Sequence, residues 1–185
     1  MRIVGGMHRG RALVAPKGQL TRPTADRTRQ ALFNVLEHAA WSPRTPGGRA
    51  IDLFAGAGAL GLESLSRGAA FCQFVDADEA ARAAITRNIE TLRLQDRARV
   101  IGADATRLGK RAPGERPFDL AFLDPPYDQG LAEMALAALA AGDWLAPGAV
   151  VVVERAAGEA PLNLAGYERL DARTWGAARI DFLKG

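Results

Sequence analysis

Four carboxylates each follow or close a short apolar run: Asp52, Asp76, Asp104 and Asp124. The last opens Asp124-Pro125-Pro126-Tyr127, directly after Phe118-Asp-Leu-Ala-Phe-Leu123. That run reads as a buried parallel strand, and two prolines without backbone N–H groups end its ladder. A carboxylate, a rigid turn with free carbonyls and an aromatic ring are thereby delivered to one spot. An acceptor pair beside a flat ring suits a planar substrate carrying an NH2 group. The plainer alternative is a Pro-Pro turn with a surface tyrosine.

The first acid begins Asp52-Leu-Phe54-Ala-Gly56-Ala-Gly58-Ala-Leu-Gly61, which follows a strand and opens a helix. Glycines at 56 and 58 allow a tight turn and close approach to a ligand, and a helix N-terminus favours an anionic group. Alone, this pattern also fits dinucleotide-binding proteins. Asp76, after the next strand, is placed to accept hydrogen bonds from two ribose hydroxyls. Asp104, followed by Ala105, suits an exocyclic adenine amine. One carboxylate at a strand end is ordinary turn chemistry, but four gathered in a cleft repel and need compensation. A sulfonium ligand with an ammonium group supplies some of it, which points to S-adenosyl-L-methionine rather than NAD.

The elements that position these groups follow from the pattern. Strands are expected near 50–54, 71–76, 98–102, 118–123 and 149–154, with helices near 58–67, 78–93 and 130–141 and an irregular crossover around 105–111. This β-α alternation implies an α/β fold with a doubly wound, mainly parallel sheet. Tyr167 to Thr174 and Arg179 to Leu183 add a closing antiparallel hairpin, for seven strands in all. Ahead of Ala50, Met1–Gly6 and Arg11–Ala15 predict a small β-hairpin arm, and a helix follows with Thr24 as N-cap. The loop from Pro43 to Gly48 separates an N-terminal extension, 1–46, from the main domain, 47–185.

Charge is divided along the same line. Net charge is +3, but residues 1–30 hold seven cations against Asp26 alone, so that segment carries +6 and the remainder −3. A basic arm on a near-neutral body is the footprint of a nucleic-acid contact, with Arg2, Arg9, Arg11, Lys17 and Arg22 as its candidates. One cysteine, Cys72, excludes an intrachain disulfide, and with two histidines nothing resembles a zinc cluster; no metal is expected. The N-terminus lacks the apolar core of a signal peptide and no stretch approaches a membrane span, so the expected compartment is the cytoplasm.

Together these motifs resemble a class I, Rossmann-like methyltransferase acting on amino groups. More narrowly, the chain is similar to the bacterial small-subunit rRNA guanine-N2 methyltransferase family, RsmD. The resemblance is carried by Met1-Arg-Ile-Val-Gly-Gly6 with Arg9-Gly-Arg11, Arg22-Pro-Thr-Ala-Asp-Arg27 through Leu32-Phe-Asn34, Asp52-Leu-Phe-Ala-Gly56 and Phe122-Leu-Asp-Pro-Pro-Tyr127. Two positions depart from it: Asp76 and Gln30 stand where the family usually carries Glu.

The resemblance implies methyl transfer from S-adenosyl-L-methionine to a guanine N2 amine of 16S rRNA, in the small ribosomal subunit or its assembly intermediate. It assigns catalysis to Asp124, Pro125, Pro126 and Tyr127, and cofactor binding to Asp52, Phe54, Gly56, Gly58, Asp76, Asp104, Ala105 and Thr24. Arg22 contacts the cofactor carboxylate or RNA. Asp78, two residues after Asp76, is either the ribose ligand in its place or, as expected, the cap of the following helix, and Asn34, Asn88, His8 and His38 are expected to serve structure. An adenine-N6 methyltransferase on DNA or RNA is the nearest alternative, because the tetrapeptide serves amino groups on several bases. An NAD-dependent oxidoreductase and a non-catalytic RNA-binding module are the more distant ones.

Overall fold

The computed structural model describes residues 1–16, 23–43, 46–127, 129–164 and 166–185, with helix side chains described from Asp26 onward. Seven strands form one sheet, in the order β3-β2-β1-β4-β5-β7-β6. They are β1 (Arg49–Leu53), β2 (Phe71–Val75), β3 (Ala98–Ile101), β4 (Phe118–Leu123), β5 (Leu145–Ala156), β6 (Glu168–Trp175) and β7 (Ala178–Lys184). The first five are parallel, and β7 runs antiparallel to both β5 and β6. The expected doubly wound sheet and closing hairpin are both present. β5 begins earlier than its valine run suggests, because Leu145 pairs with Phe118 before an irregularity at Pro147-Gly148 lets the register resume at Val150.

Period-two alternation sorts the strand side chains onto two covered faces. Phe74, Leu120, Phe122, Val150, Val152 and Phe182 face α1 (Pro23–His38), α2 (Ala59–Ser66) and α3 (Glu79–Leu92). Ile51, Leu53, Ala121, Leu123, Val151 and Val153 face α4 (Leu131–Ala141) and the short 3-10 turn Ala105–Arg107. Each fully buried Phe or Leu contributes about 1.5–3 kcal/mol by leaving water. Phe33 of α1 meets Phe122 with ring centroids 5.6 Å apart, so α1 shares the core of the sheet.

The arm also docks on that core, through Ile3 and Leu13. It closes on itself by a single antiparallel bridge, Arg2 to Ala12, rather than by the two strands expected. Much of its backbone is committed elsewhere: Val4 N–H donates to Glu63, Met7 N–H to the Ser66 carbonyl, and Val14 N–H to Asn88.

Candidate active site

β1 and β4 are neighbours at the centre of the sheet, and the connections wind away from them in opposite directions. The crevice at such a switch point, beyond the carboxyl ends of the strands, is where open α/β sheets hold ligands. Here it is a hollow of about 660 Å3, lined by Phe54 and Gly56 after β1, Asp76 and Asp78 after β2, Asp104 and Ala105 after β3, and Asp124 to Tyr127 after β4. Its size is that of a pocket for a small-molecule cofactor.

The turn after β1 is built for close approach. Phe54, Gly56 and Gly58 all have positive φ, at 58°, 57° and 76°. A side chain on Gly58 would crowd Phe74 and Ile85 as well as straining the backbone. Asp76 holds this turn: its Oδ2 accepts the Gly56 N–H at 2.8 Å, and its Oδ1 accepts the Asp78 N–H at 2.9 Å. Asp78 caps α3 by accepting the Ala80 N–H, as expected, while also lining the hollow. Asp104 accepts from both the N–H and the hydroxyl of Thr106 through Oδ1, and these bonds lower its pKa.

Asp52 is placed differently. It is buried, on the α2 side of the sheet, where its Oδ2 accepts the Gly61 N–H at 2.8 Å. It supports the glycine turn from behind and does not line the hollow. Burial is the chief reason that its pKa stands at about 8, with Asp76 adding to it. Gly58 likewise lies behind the lining, buried against α3.

Asp124 is open to the hollow on one side and hemmed in by protein on the others. That crowding, followed by the charges of Glu154 and Asp52, pushes its pKa well above the usual carboxylate range. Tyr127 is half-exposed, and its hydroxyl donates to Glu154 Oε1 at 3.3 Å. Burial and the acids Glu154 and Asp124 drive the phenol pKa upward, so it remains a protonated donor. Asp124 and Tyr127 also border a second hollow of about 330 Å3, between α1, Glu154 at the end of β5, and Trp175 at the β6–β7 turn.

Arg2 and Arg9 line a third hollow of about 540 Å3, with Arg27, Gln30 and Asn34 of α1, and Arg11 is exposed beside it. Lys17 and Arg22 lie outside the described residues, as does the Thr24 side chain. Three residues organise this region: Asn88, expected from the sequence to serve structure, and Glu63 and Glu154, which the sequence reading did not single out. Glu63 is buried and binds Val4, Arg29 and Arg67. Asn88 donates to the carbonyls of both Val14 and Ala57, joining the arm to the glycine turn. Glu154 closes a valine run, so the logic that flagged the other strand-end acids also reaches it.

The family model described as Conserved hypothetical protein 95 matches residues 1–184. Ribosomal RNA small subunit methyltransferase D of Escherichia coli is 39% identical over 154 residues, 83% of this chain and 74% of that protein. Its Haemophilus influenzae counterpart is 36% identical over 83% and 78% of the two chains. Among solved structures, the Escherichia coli protein described as "Putative methyltransferase yhhF" superposes with a TM-score of 0.82. It has 33% identity and covers 100% of this chain and 97% of its own. SMU.776, solved complexed with SAH, matches with a TM-score of 0.63 over 89% of this chain and 50% of that one; at 14% identity this is a likeness of fold.

Proposed function

The chain belongs to that family, the RsmD family, and on that premise we propose that it methylates a guanine N2 amine in 16S rRNA. The observation that carries this reading is the meeting of two hollows at one wall, Asp124 and Tyr127. The larger suits a donor cofactor and the smaller an acceptor base. The donor set fits S-adenosyl-L-methionine: Asp76 for the ribose hydroxyls, Asp104 for the adenine amine, and a turn at Gly56 with no side chain in the way. Acids in the lining also favour a cationic ligand.

Bound there, S-adenosyl-L-methionine supplies an electrophilic methyl group on a sulfonium, whose sulfur would keep the electron pair of the C–S bond as the methyl group passes to nitrogen. The acceptor nitrogen is a poor nucleophile, because its lone pair is delocalised into the purine. Asp124 and the Pro125 carbonyl accept its two N–H bonds, aim the lone pair, and stabilise the positive charge that develops on nitrogen. The surplus N–H proton passes to Asp124 and on to water, and a raised pKa makes this carboxylate a better acceptor for it. Tyr127 stacks on the base, a contact worth about 1–3 kcal/mol. No covalent intermediate with the protein is needed.

The target must be splayed out of any stack to reach the smaller hollow. The arm, functionally separate at 46/47 from the catalytic body, grips the flanking backbone through Arg2, Arg9 and Arg11. On this reading the protein works in the cytoplasm, on 16S rRNA or the small subunit during assembly. Nucleoside mass mapping of small-subunit rRNA, with and without the protein, is expected to show one N2-methylguanine that depends on it. Asp124→Ala should then abolish the modification, with transfer reduced about 10²–10⁴-fold, while S-adenosylhomocysteine still binds. Near-wild-type transfer by that variant would remove Asp124 from the mechanism.

A further inference from the structure

Glu154 is half-buried at the carboxyl end of β5, on the wall of the smaller hollow. It lies near enough to Asp124 to raise that carboxyl's pKa. Its Oε1 holds the Tyr127 hydroxyl, and its Oε2 accepts from no described residue. A second acceptor therefore stands beside the first, with one oxygen to spare. We infer that Glu154 selects guanine, by accepting the N1–H of the purine whose N2 amine sits at Asp124. This rests on the base entering the smaller hollow as proposed above.

The argument is one of edge chemistry. On guanine, the atom next to the C2 amine on the Watson–Crick side is N1, which carries a hydrogen. On adenine and cytosine, the ring nitrogen next to the exocyclic amine is a bare acceptor. A carboxylate facing that position bonds guanine and repels the other two. A buried acceptor left against a lone pair also forfeits a hydrogen bond without replacement, which is how polar sites reject near-isosteres strongly. The amine-binding tetrapeptide has no such power, since it touches only the group the bases share. Glu154 thus separates guanine-N2 from adenine-N6 chemistry at a point where Asp124 to Tyr127 cannot. Trp175 lines the same hollow.

The test uses ligated 16S rRNA bearing either guanine or 2-aminopurine at the nucleotide located by mapping. 2-Aminopurine keeps the C2 amine and presents a bare N1. The wild-type enzyme is expected to favour guanine in kcat/KM by at least tenfold. In Glu154→Gln, whose amide can donate to a bare N1, that ratio should fall at least tenfold. Tyr127→Phe should slow both RNAs alike and keep the ratio. If Glu154 served only to hold Tyr127, Glu154→Gln would behave as Tyr127→Phe does, and the inference would fall. Binding of S-adenosylhomocysteine to each variant checks the fold. A wild-type enzyme that leaves every guanine unmodified sinks the underlying reading at the mapping stage. A wild-type enzyme that methylates guanine, with a ratio insensitive to residue 154, sinks this inference alone.

Discussion

Asp76 Oδ2 accepts the Gly56 N–H across 2.8 Å, joining the ends of β1 and β2 under the larger hollow. One carboxylate thus shapes the glycine turn and lines the hollow. Asp76→Ala should weaken S-adenosylhomocysteine binding at least tenfold, because the turn loses its anchor and the ribose its acceptor. Asp76→Asn keeps one acceptor oxygen and should fall between the two. Calorimetric titration measures this, and an unchanged Kd in the alanine variant would move the ribose site to Asp78.

Glu63 fixes the arm to the body. Its side chain is fully buried, with Oε2 accepting the Val4 N–H at 2.8 Å and Oε1 bonded to Arg67 Nε at 2.8 Å. Arg29, itself buried, lies 3.6 Å away and also donates to the Arg2 carbonyl. Glu63→Ala takes one partner from each of two buried guanidinium groups, which keep Asp26 and Glu37, and leaves the Val4 N–H without its acceptor, so a loss of about 1–3 kcal/mol is expected. For a chain of this size that lowers Tm by about 2–4 °C per kcal/mol. Thermal unfolding within a degree or two of wild type would show the arm to be held by its apolar contacts alone.

Asp52 makes stability depend on pH in a direction opposite to that of a salt-bridged acid. Its pKa is about 8 in the fold, against an ordinary value of 3.8. Between those values the native state keeps a proton that the unfolded chain has released. Stability from this group is therefore greatest below about pH 4, declines as pH rises towards 8, and loses nothing further above that. Asp52→Asn keeps an acceptor for the Gly61 N–H and removes the titration. Its gain in Tm should be larger at pH 8 than at pH 5. An equal shift at both would mean that Asp52 is ionised throughout.

The contrast between Asp52 and Asp76 shows where the sequence stops being informative. Both follow apolar runs and look alike as strand-end acids. Asp52 falls one residue inside β1, on the face shared with Phe74 and Phe122, so it turns towards α2. Asp76 lies just past β2 and faces the cleft. A single step along a strand reverses the face, and strand ends read from composition are uncertain by that much. The sheet, its crossovers and the Asp124 turn were legible because long apolar runs and prolines report them directly. The arm was not, because its backbone partners, Glu63, Ser66 and Asn88, lie 58 to 74 residues away, beyond any local pattern. Glu154 shows the opposite case, a strand-end acid that the same rule reaches.

Arg9 and Arg11 carry the clearest prediction about RNA. Both are exposed on the arm, away from the two hollows at Asp124. Each phosphate neutralised on a single strand adds about 0.7 to the slope of log K against log salt. The double change to alanine should weaken RNA binding and flatten that slope by roughly 1–1.5, with S-adenosylhomocysteine affinity unaltered. Both quantities come from filter binding across a salt series and a parallel cofactor titration. Loss of RNA affinity at constant slope would mean that the arm acts by shape, and an unchanged affinity would move the grip to the Arg27 side of the third hollow.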